Sequence, residues 1–591
     1  MKTKAFLTSE RLSELHLDAF VLSTMDEHLN EYTPGHSRRL EAATGFHGSA
    51  GTVIFVRGGR PQLFVDSRYH VQAEQQCAAD FTVQKLGNEG VPEPHEWLAQ
   101  QPGTLRVGVD PFVISPSGWK RLEKALAKTG HALIPVHPNP VDALWSERPE
   151  PLRSIPYALP LEWAGQSAEE KLAQVRNALQ EQQSDLLLLT PLDEIAWLLN
   201  LRGSDVLHTP VFEAYVAVSQ SEAICFCHHP ESMPASACPG WTFRPYGEYL
   251  GFLKQVSGEP RVWLDPSGVT MGTRQQFSKE QVLEKQSPVI LPRALKNQAE
   301  MNCSREAHRH AACGLIRTFA WLERTLVSGT RLSEQDFADR LQQEYSREEG
   351  FVDLSFNTIA GTGANGAIVH YGTPSADASL IPEEMLLVDS GIQCGGGTTD
   401  CTRTLSLGRP DATQRAAYTR VLQAHLRLGN QVFPEGTNGA QLDAIVRSGL
   451  WNAGLDFGHG TGHGVGAMLS VHEGPQRISP MAHDVPFKPG MIISNEPGFY
   501  RSGWGGVRIE NLCVVQPHAS PDFPEHPGGR RWLSFETLTL VPYDLKLIDQ
   551  SLLSVQEQAW LADYHQRVFQ EIGPLLESPE DQDWLQQACG L

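Results

Sequence analysis

What the chain lacks narrows its reading first. No stretch of its 591 residues is long and apolar enough to span a membrane, and residues 1–10 carry charge but no apolar core for a signal peptide. The expectation is a cytoplasmic protein with no membrane partner. Ten cysteines are scattered without a paired framework, and the closest two, Cys225 and Cys227, have no second pair at metal-site spacing, so reduced, buried thiols are expected. Basic residues are in deficit, 48 against 69 acids for a formal charge of -21. Such a surface repels polyanions and excludes nucleic acid as the expected partner.

What remains is an ordinary globular composition, 40% hydrophobic and 20% charged, in a chain too long for a single core. The N-terminal part alternates helix and strand: a helix near 9–15, then apolar runs at 19–23, 52–56, 62–65 and 106–111. Proline-rich sequence from Pro135 to Pro160 marks a linker, after which the pattern restarts with a capping box at Ser167 and Glu170 and a buried strand at 185–190. Around 287–292 a second boundary precedes a long helix from about 298 to 326, and further capping boxes stand at Ser333 with Asp336 and Ser554 with Glu557. A run at 535–542 is expected to close the last core. The predicted division is 1–150, 151–297 and 298–591, with α/β (α+β) character throughout. The first two domains are read as related mixed-sheet units.

The chemistry concentrates between Met385 and Glu510. An apolar run ends on Asp389, and a turn centred between Cys394 and Gly395 would set Asp389 opposite Asp400 across a hairpin. Downstream, a turn centred on Gly503 would set Glu496 opposite Glu510. Like charges facing each other across strands destabilise a sheet unless a cation lies between them. Between the hairpins runs Gly-His-Gly-Thr-Gly-His-Gly-Val-Gly, 458–466, read as close-packed non-helical backbone carrying His459 and His463. His472 follows, and His370 stands upstream. Taken singly, a strand-end aspartate is a turn former and a histidine a surface or core residue. Together, four acids and an imidazole make an oxygen-rich set suited to hard or borderline divalent ions.

In that order and with those flanking residues, Asp389, Asp400, His463, Glu496 and Glu510 resemble the metal-ligand set of the pita-bread metallopeptidases. The runs His-Gly-Thr-Gly-His-Gly-Val-Gly, Val-His-Glu-Gly-Pro, Asn-Glu-Pro-Gly-Phe-Tyr and Gly-Val-Arg-Ile-Glu-Asn resemble the Xaa-Pro aminopeptidase family. Residues 192–206 resemble the second domain of its long, three-domain form, and Val65-Asp66-Ser67-Arg68-Tyr69 a first-domain segment whose arginine reaches toward bound peptide.

The resemblance implies two creatinase-like domains followed by a pita-bread catalytic domain with a C-terminal extension. It implies two divalent ions, manganese first with zinc or cobalt as alternatives. Asp389 would chelate one ion, His463 and Glu496 the other, and Asp400 and Glu510 would bridge them. A metal-bridging hydroxide would attack the scissile carbonyl of a peptide with proline second, with Glu496 as proton carrier. His370 and His472 would donate to the carbonyl oxygen, His459 would shape the pocket for the residue after the scissile bond, and Arg508 would support the ligands from behind. Arg68 would contact substrate; by residue chemistry alone it is a salt-bridge residue. A homodimer is implied by analogy only. The alternatives are a prolidase acting on Xaa-Pro dipeptides, a methionine aminopeptidase, creatinase-like hydrolysis without metal, and a non-catalytic binding protein on the same fold.

Overall fold

The apolar runs picked out by periodicity become strands because each buries its side chains on both faces of a covered sheet. The computed structural model describes residues 6–256, 260–481, 485–520 and 523–591; the opening five residues, part of the segment read as lacking a signal core, lie outside it. The chain divides into two compact units, one of Met1–Leu159 with Gln166–Ile290 and one of Pro160–Gly165 with Leu291–Leu591.

The first unit holds two six-stranded mixed sheets. Across the first, the order is Thr82–Lys85, Gln62–Val65, Thr52–Val56, Ala19–Ser23, Arg106–Val109, Ala132–Pro135. Across the second it is Thr242–Pro245, Ala223–Cys227, Ala214–Ser219, Leu186–Leu189, Val262–Leu264, Val282–Glu284. Position by position, the parallel and antiparallel pairings of the two sheets are the same. The relationship inferred from restarting helix–strand pattern is therefore a shared topology. The Ser167–Glu170 capping box forms at the start of Ala168–Glu181.

In the second unit all described strand pairs are antiparallel. One three-stranded sheet runs Ile359–Thr362, Met385–Ser390, Cys401–Ser406; a six-stranded one includes Trp532–Thr537, Asn511–Pro517, Ile492–Asn495 and Gly462–Gly464. Helices Gln298–Val327, Glu334–Tyr345, Ala412–Gly429, Gly439–Trp451 and Val555–Ile572 cover them, which is the pita-bread arrangement. Two large apolar clusters fill the space between, one around Ile316, Phe337, Leu386 and Val388, the other around Val421, Leu442, Ile493 and Val507.

One expectation needs correction. The first hairpin pairs Asp389 with Thr402 and Cys394 with Gly397, so the turn centres on Gly395-Gly396 and Asp389 does not face Asp400 directly. A two-residue hairpin turn wants positive φ at both central positions. Gly395 (φ 51°) and Gly396 (φ 86°) supply it, whereas the predicted centre would have demanded it of Cys394. Because the shift is by two residues, Asp400 stays on the side-chain parity that the acid pairing required. The run 535–542 closes the core as expected: it is strand as far as Thr537, and Leu538, Leu540 and Val541 after it are buried. Beyond it the carbonyls of Val541 and Pro542 accept from the buried Arg403 guanidinium instead of from a neighbouring strand.

Every cysteine is buried and free of disulfide. Among the described residues no helix is long and apolar enough to cross a membrane.

Candidate metal centre

The second hairpin takes the predicted register, with Gly498 opposite Arg508 and Arg501 opposite Gly505 across a turn on Gly503. Glu496 and Glu510 continue that register just past the ladder, where Ile509 N–H donates to the Pro497 carbonyl at 3.3 Å. The histidine loop enters from the other side as the short strand Gly462–Gly464, squeezed between two neighbours. A Cβ at Gly462 would lie 2.0 Å from the Ser494 carbonyl oxygen, and one at Gly464 would lie 2.1 Å from that of Glu473. Only glycine on each side of His463 admits so close an approach.

These elements converge on His463. Its Nδ1 lies 2.9 Å from the Gly464 carbonyl oxygen and donates to it, so that in the neutral ring Nε2 presents a bare lone pair. That lone pair faces Asp400 Oδ2 at 3.6 Å, Glu496 Oε1 at 3.7 Å and Glu510 Oε1 at 4.0 Å. These separations are too long for hydrogen bonds. They suit atoms sharing one small divalent ion, whose ligands lie about 2 Å from it. Asp389 Oδ1, Asp400 Oδ1 and Glu510 Oε1 are buried without a hydrogen-bond partner, although each carboxylate is 8% exposed or less. Acceptors crowded against acceptors in a dry site fit a cation. Among the described residues, Asp400, His463 and Glu510 form the one group in which three ligand-type atoms lie within 4.8 Å of one another.

The electrostatics agree. Burial, then the charges of Asp389 and Glu496, push the Asp400 carboxyl well above the usual carboxylate range. Burial, then Asp400 and Glu496, do the same to Glu510. Burial also raises Glu496, against the opposing pull of His463 and Arg508.

Behind the acids lies a buried hydrogen-bond frame. Arg508, 1% exposed, donates through Nη2 to Asp389 Oδ2 at 2.7 Å, through Nη1 to the Tyr500 hydroxyl at 2.8 Å and through Nε to Thr402 Oγ1 at 3.1 Å. Thr402 in turn donates to Glu510 Oε2 at 2.8 Å. Arg508 thus restrains acids from both hairpins. His459 is drawn into the same frame. Its Nδ1 must donate to the Gly460 carbonyl at 2.7 Å, so Nε2 accepts from Tyr500 at 2.9 Å. The loop's shape is held from the helix Gly439–Trp451: Arg447 donates to the Phe457 and His459 carbonyls at 2.6 and 2.8 Å, and its ion-pair partner Asp443 accepts from Thr461.

His472 stacks edge-on to His463 with ring centroids 4.3 Å apart. The next residue, Glu473, is fully buried and paired with Lys296 at 2.5 Å and Arg293 at 3.4 Å. His370 is half-buried in the segment after the helical turn Gly363–Ala367. That turn rests against the strand carrying Arg508, since a Cβ at Gly506 would come 2.0 Å from the Gly366 carbonyl oxygen. Arg68 belongs to the other unit, where it pairs with Asp66 at 2.8 Å and Glu31 at 3.5 Å.

Sequence reasoning missed several members of this frame. Tyr500 and Thr402 lay inside the quoted motifs but carry no signal of their own until Arg508 is seen between them. Lys296 and Glu473 are 177 residues apart, and nothing local pairs them.

The comparisons with known proteins converge on one class. The model of metallopeptidase family M24 matches residues 302–517, and that for the C-terminal region of peptidase M24 matches 531–590. Models of the creatinase/prolidase N-terminal domain match 8–144 and 147–300. Aminopeptidase P2 of Arabidopsis thaliana is 38% identical, covering 96% of this chain and 85% of its own length. A probable Xaa-Pro aminopeptidase P of Laccaria bicolor is 36% identical over 98% of this chain and 93% of its own. The crystal structure of X-prolyl aminopeptidase from Caenorhabditis elegans, described as a cytosolic enzyme with a di-nuclear active site, superposes with a TM-score of 0.92 at 30% identity, covering 99% of this chain and 97% of the other. The chain belongs to metallopeptidase family M24. The plant and fungal relatives named above, which span nearly all of it, carry the name aminopeptidase P.

Proposed function

We propose that this protein is an Xaa-Pro aminopeptidase, releasing the N-terminal residue from peptides that have proline in second position. The observation that carries the reading is the bare Nε2 of His463 facing three carboxylate oxygens at 3.6–4.0 Å in a buried site. The names of full-length relatives supply the substrate class.

Asp389, Asp400, His463, Glu496 and Glu510 would hold two divalent ions, with Asp400 and Glu510 shared between them. Manganese is the metal of choice for such an oxygen-rich donor set, and zinc or cobalt would also bind. Bound there, the ions would lower the pKa of a water and so supply a nucleophile at neutral pH.

The chain's own residues do the rest. Glu496 takes the nucleophile's proton and passes it to the leaving imide nitrogen. His370 and His472 donate to the carbonyl oxygen as charge gathers on it, each such donor being worth about 3 kcal/mol in comparable sites. His459, hydrogen-bonded through Nε2 to Tyr500, forms a wall of the pocket beyond the scissile bond. Arg508 keeps Asp389 and Glu510 aimed inward. Arg68 is carried as a substrate contact on family resemblance alone.

The working picture also includes domains at 1–150, 151–297 and 298–591, a cytoplasmic location as described for the nematode enzyme, and a homodimer. Two separate six-stranded sheets in the first unit support the first boundary. The test is turnover of matched dipeptides and tripeptides by the purified chain, with and without chelator. Metal-dependent cleavage of Arg-Pro-Pro after the first residue supports the reading. A strong preference for dipeptides would instead make the protein a prolidase, and full turnover without metal would overturn the site.

A further inference from the structure

Glu334 is the first residue of the helix Glu334–Tyr345, where a glutamate is ordinarily solvated and needs no partner. Here it is 0% exposed. The helix does not need it as a cap, because Ser333 and Asp336 already form a reciprocal capping box. Its carboxylate turns instead to one segment of chain. Oε1 accepts from Thr362 N–H at 2.7 Å and the Asn365 side-chain amide at 3.0 Å. Oε2 accepts from the Tyr371 hydroxyl at 2.8 Å and Ser375 N–H at 3.1 Å. A carboxylate has about four acceptor positions, and four neutral donors fill them.

All four donors lie between 362 and 375, two before His370 and two after it. The neighbouring backbone runs alongside: Glu334 N–H donates to Ala378 at 3.0 Å, and Leu380 N–H donates to Leu332 at 2.8 Å. On its other side the same segment abuts Gly506 of the Arg508 strand. One buried carboxylate therefore closes the loop that bears His370 from both ends.

We propose that Glu334 is a positioning residue for peptide cleavage, setting the place of His370 through the loop it grips. The inference rests on the reading of His370 as a donor to the scissile carbonyl. A donor in that role works only within a few tenths of an ångström, so loosening its loop costs rate without touching the metal ligands.

The test is a double-mutant cycle between Glu334→Gln and His370→Ala in the metal-loaded full chain, assayed on Arg-Pro-Pro well below the melting temperature. Glutamine keeps the size but turns an NH₂ group toward two donors, releasing half of the grip. Glu334→Gln should lower kcat about 10- to 100-fold, with KM and bound metal within about twofold of wild type. In the His370→Ala background the same change should cost less than about threefold. Should Glu334→Gln not fold, Tyr371→Phe removes one of the four hydrogen bonds and should show a smaller kcat loss with the same non-additivity. Wild-type kcat in whichever of these variants folds, or losses that multiply in the double mutant, would overturn the proposal. His370→Ala with near wild-type kcat would overturn the reading of His370 itself, a distinguishable failure.

Discussion

Asp389 is bound on one side only: Oδ2 takes the Arg508 guanidinium at 2.7 Å, while Oδ1 is buried and receives no hydrogen bond. The other two guanidinium nitrogens donate to Tyr500 and Thr402 and not to Asp389. The free oxygen is therefore directed into the acid cluster. Arg508→Lys keeps the charge but cannot span three partners. We expect metal affinity or kcat/KM to fall 10- to 100-fold, as for other residues that orient metal ligands. Metal titration and steady-state kinetics on one preparation check this.

Asp400→Asn should remove most bound metal and nearly all activity. It should also raise the stability of the metal-free protein. Burial, Asp389 and Glu496 all work against a charge on Asp400, so an uncharged amide relieves the site when no cation is there to do so. Thermal melts with and without chelator check the sign: metal-free Asp400→Asn above metal-free wild type, metal-loaded wild type above both.

Substrate discrimination follows from the imide. A proline nitrogen carries no hydrogen, so a pocket built for it offers no acceptor. Arg-Ala-Ala would bury an unpaired N–H and leave ring-shaped space unfilled, together a few kcal/mol or roughly a hundredfold in kcat/KM against Arg-Pro-Pro. Acetylating the substrate's amine should abolish cleavage, since the free amine sets the register at one residue. Comparable rates on the two tripeptides would argue for another aminopeptidase specificity.

Glu473 balances two buried cations, Lys296 and Arg293, next to His472. Lys296→Met leaves an Arg–Glu pair and should cost about 1–2 kcal/mol, whereas Glu473→Gln strips the buried Lys296 ammonium of its carboxylate and should cost about 3–5 kcal/mol. Guanidinium denaturation ranks them. The reverse order would mean that packing of the lysine stem, rather than charge balance, dominates.

Three buried histidines make the second unit acid-sensitive. Burial holds His308 and His565 down to about 4 and His425 to about 3, against a usual value of 6.5. His565 shows why: its Nε2 accepts from Tyr543 N–H at 3.1 Å, and a proton there would break the bond. Between about pH 6.5 and 4 the unfolded chain binds protons that these folded histidines refuse, so this stability is present above pH 6.5 and is lost as pH falls. In one metal state, His565→Gln should lose about 1.4 kcal/mol less per pH unit than wild type across that window. Parallel slopes would refute it.

By itself the sequence determined whatever depends on neighbours along the chain. Alternating and continuous apolar runs located strands at 19–23, 52–56 and 62–65 to the residue, and the Ser167, Ser333 and Ser554 capping boxes began the helices they predicted. The second hairpin's register was legible because its turn glycine and flanking strands are contiguous. The first was misjudged by two residues, since Cys-Gly-Gly-Gly admits more than one turn centre and only φ at Gly395 and Gly396 chooses between them. Tertiary structure alone decided that Thr402 and Tyr500 link Arg508 to the two hairpins, that Lys296 meets Glu473, and that Glu334 grips the loop of His370. Each of these is a single polar contact between distant segments. Its partner is selected by burial, which makes an unpaired polar group costly, and burial exists only once the sheets and helices have packed.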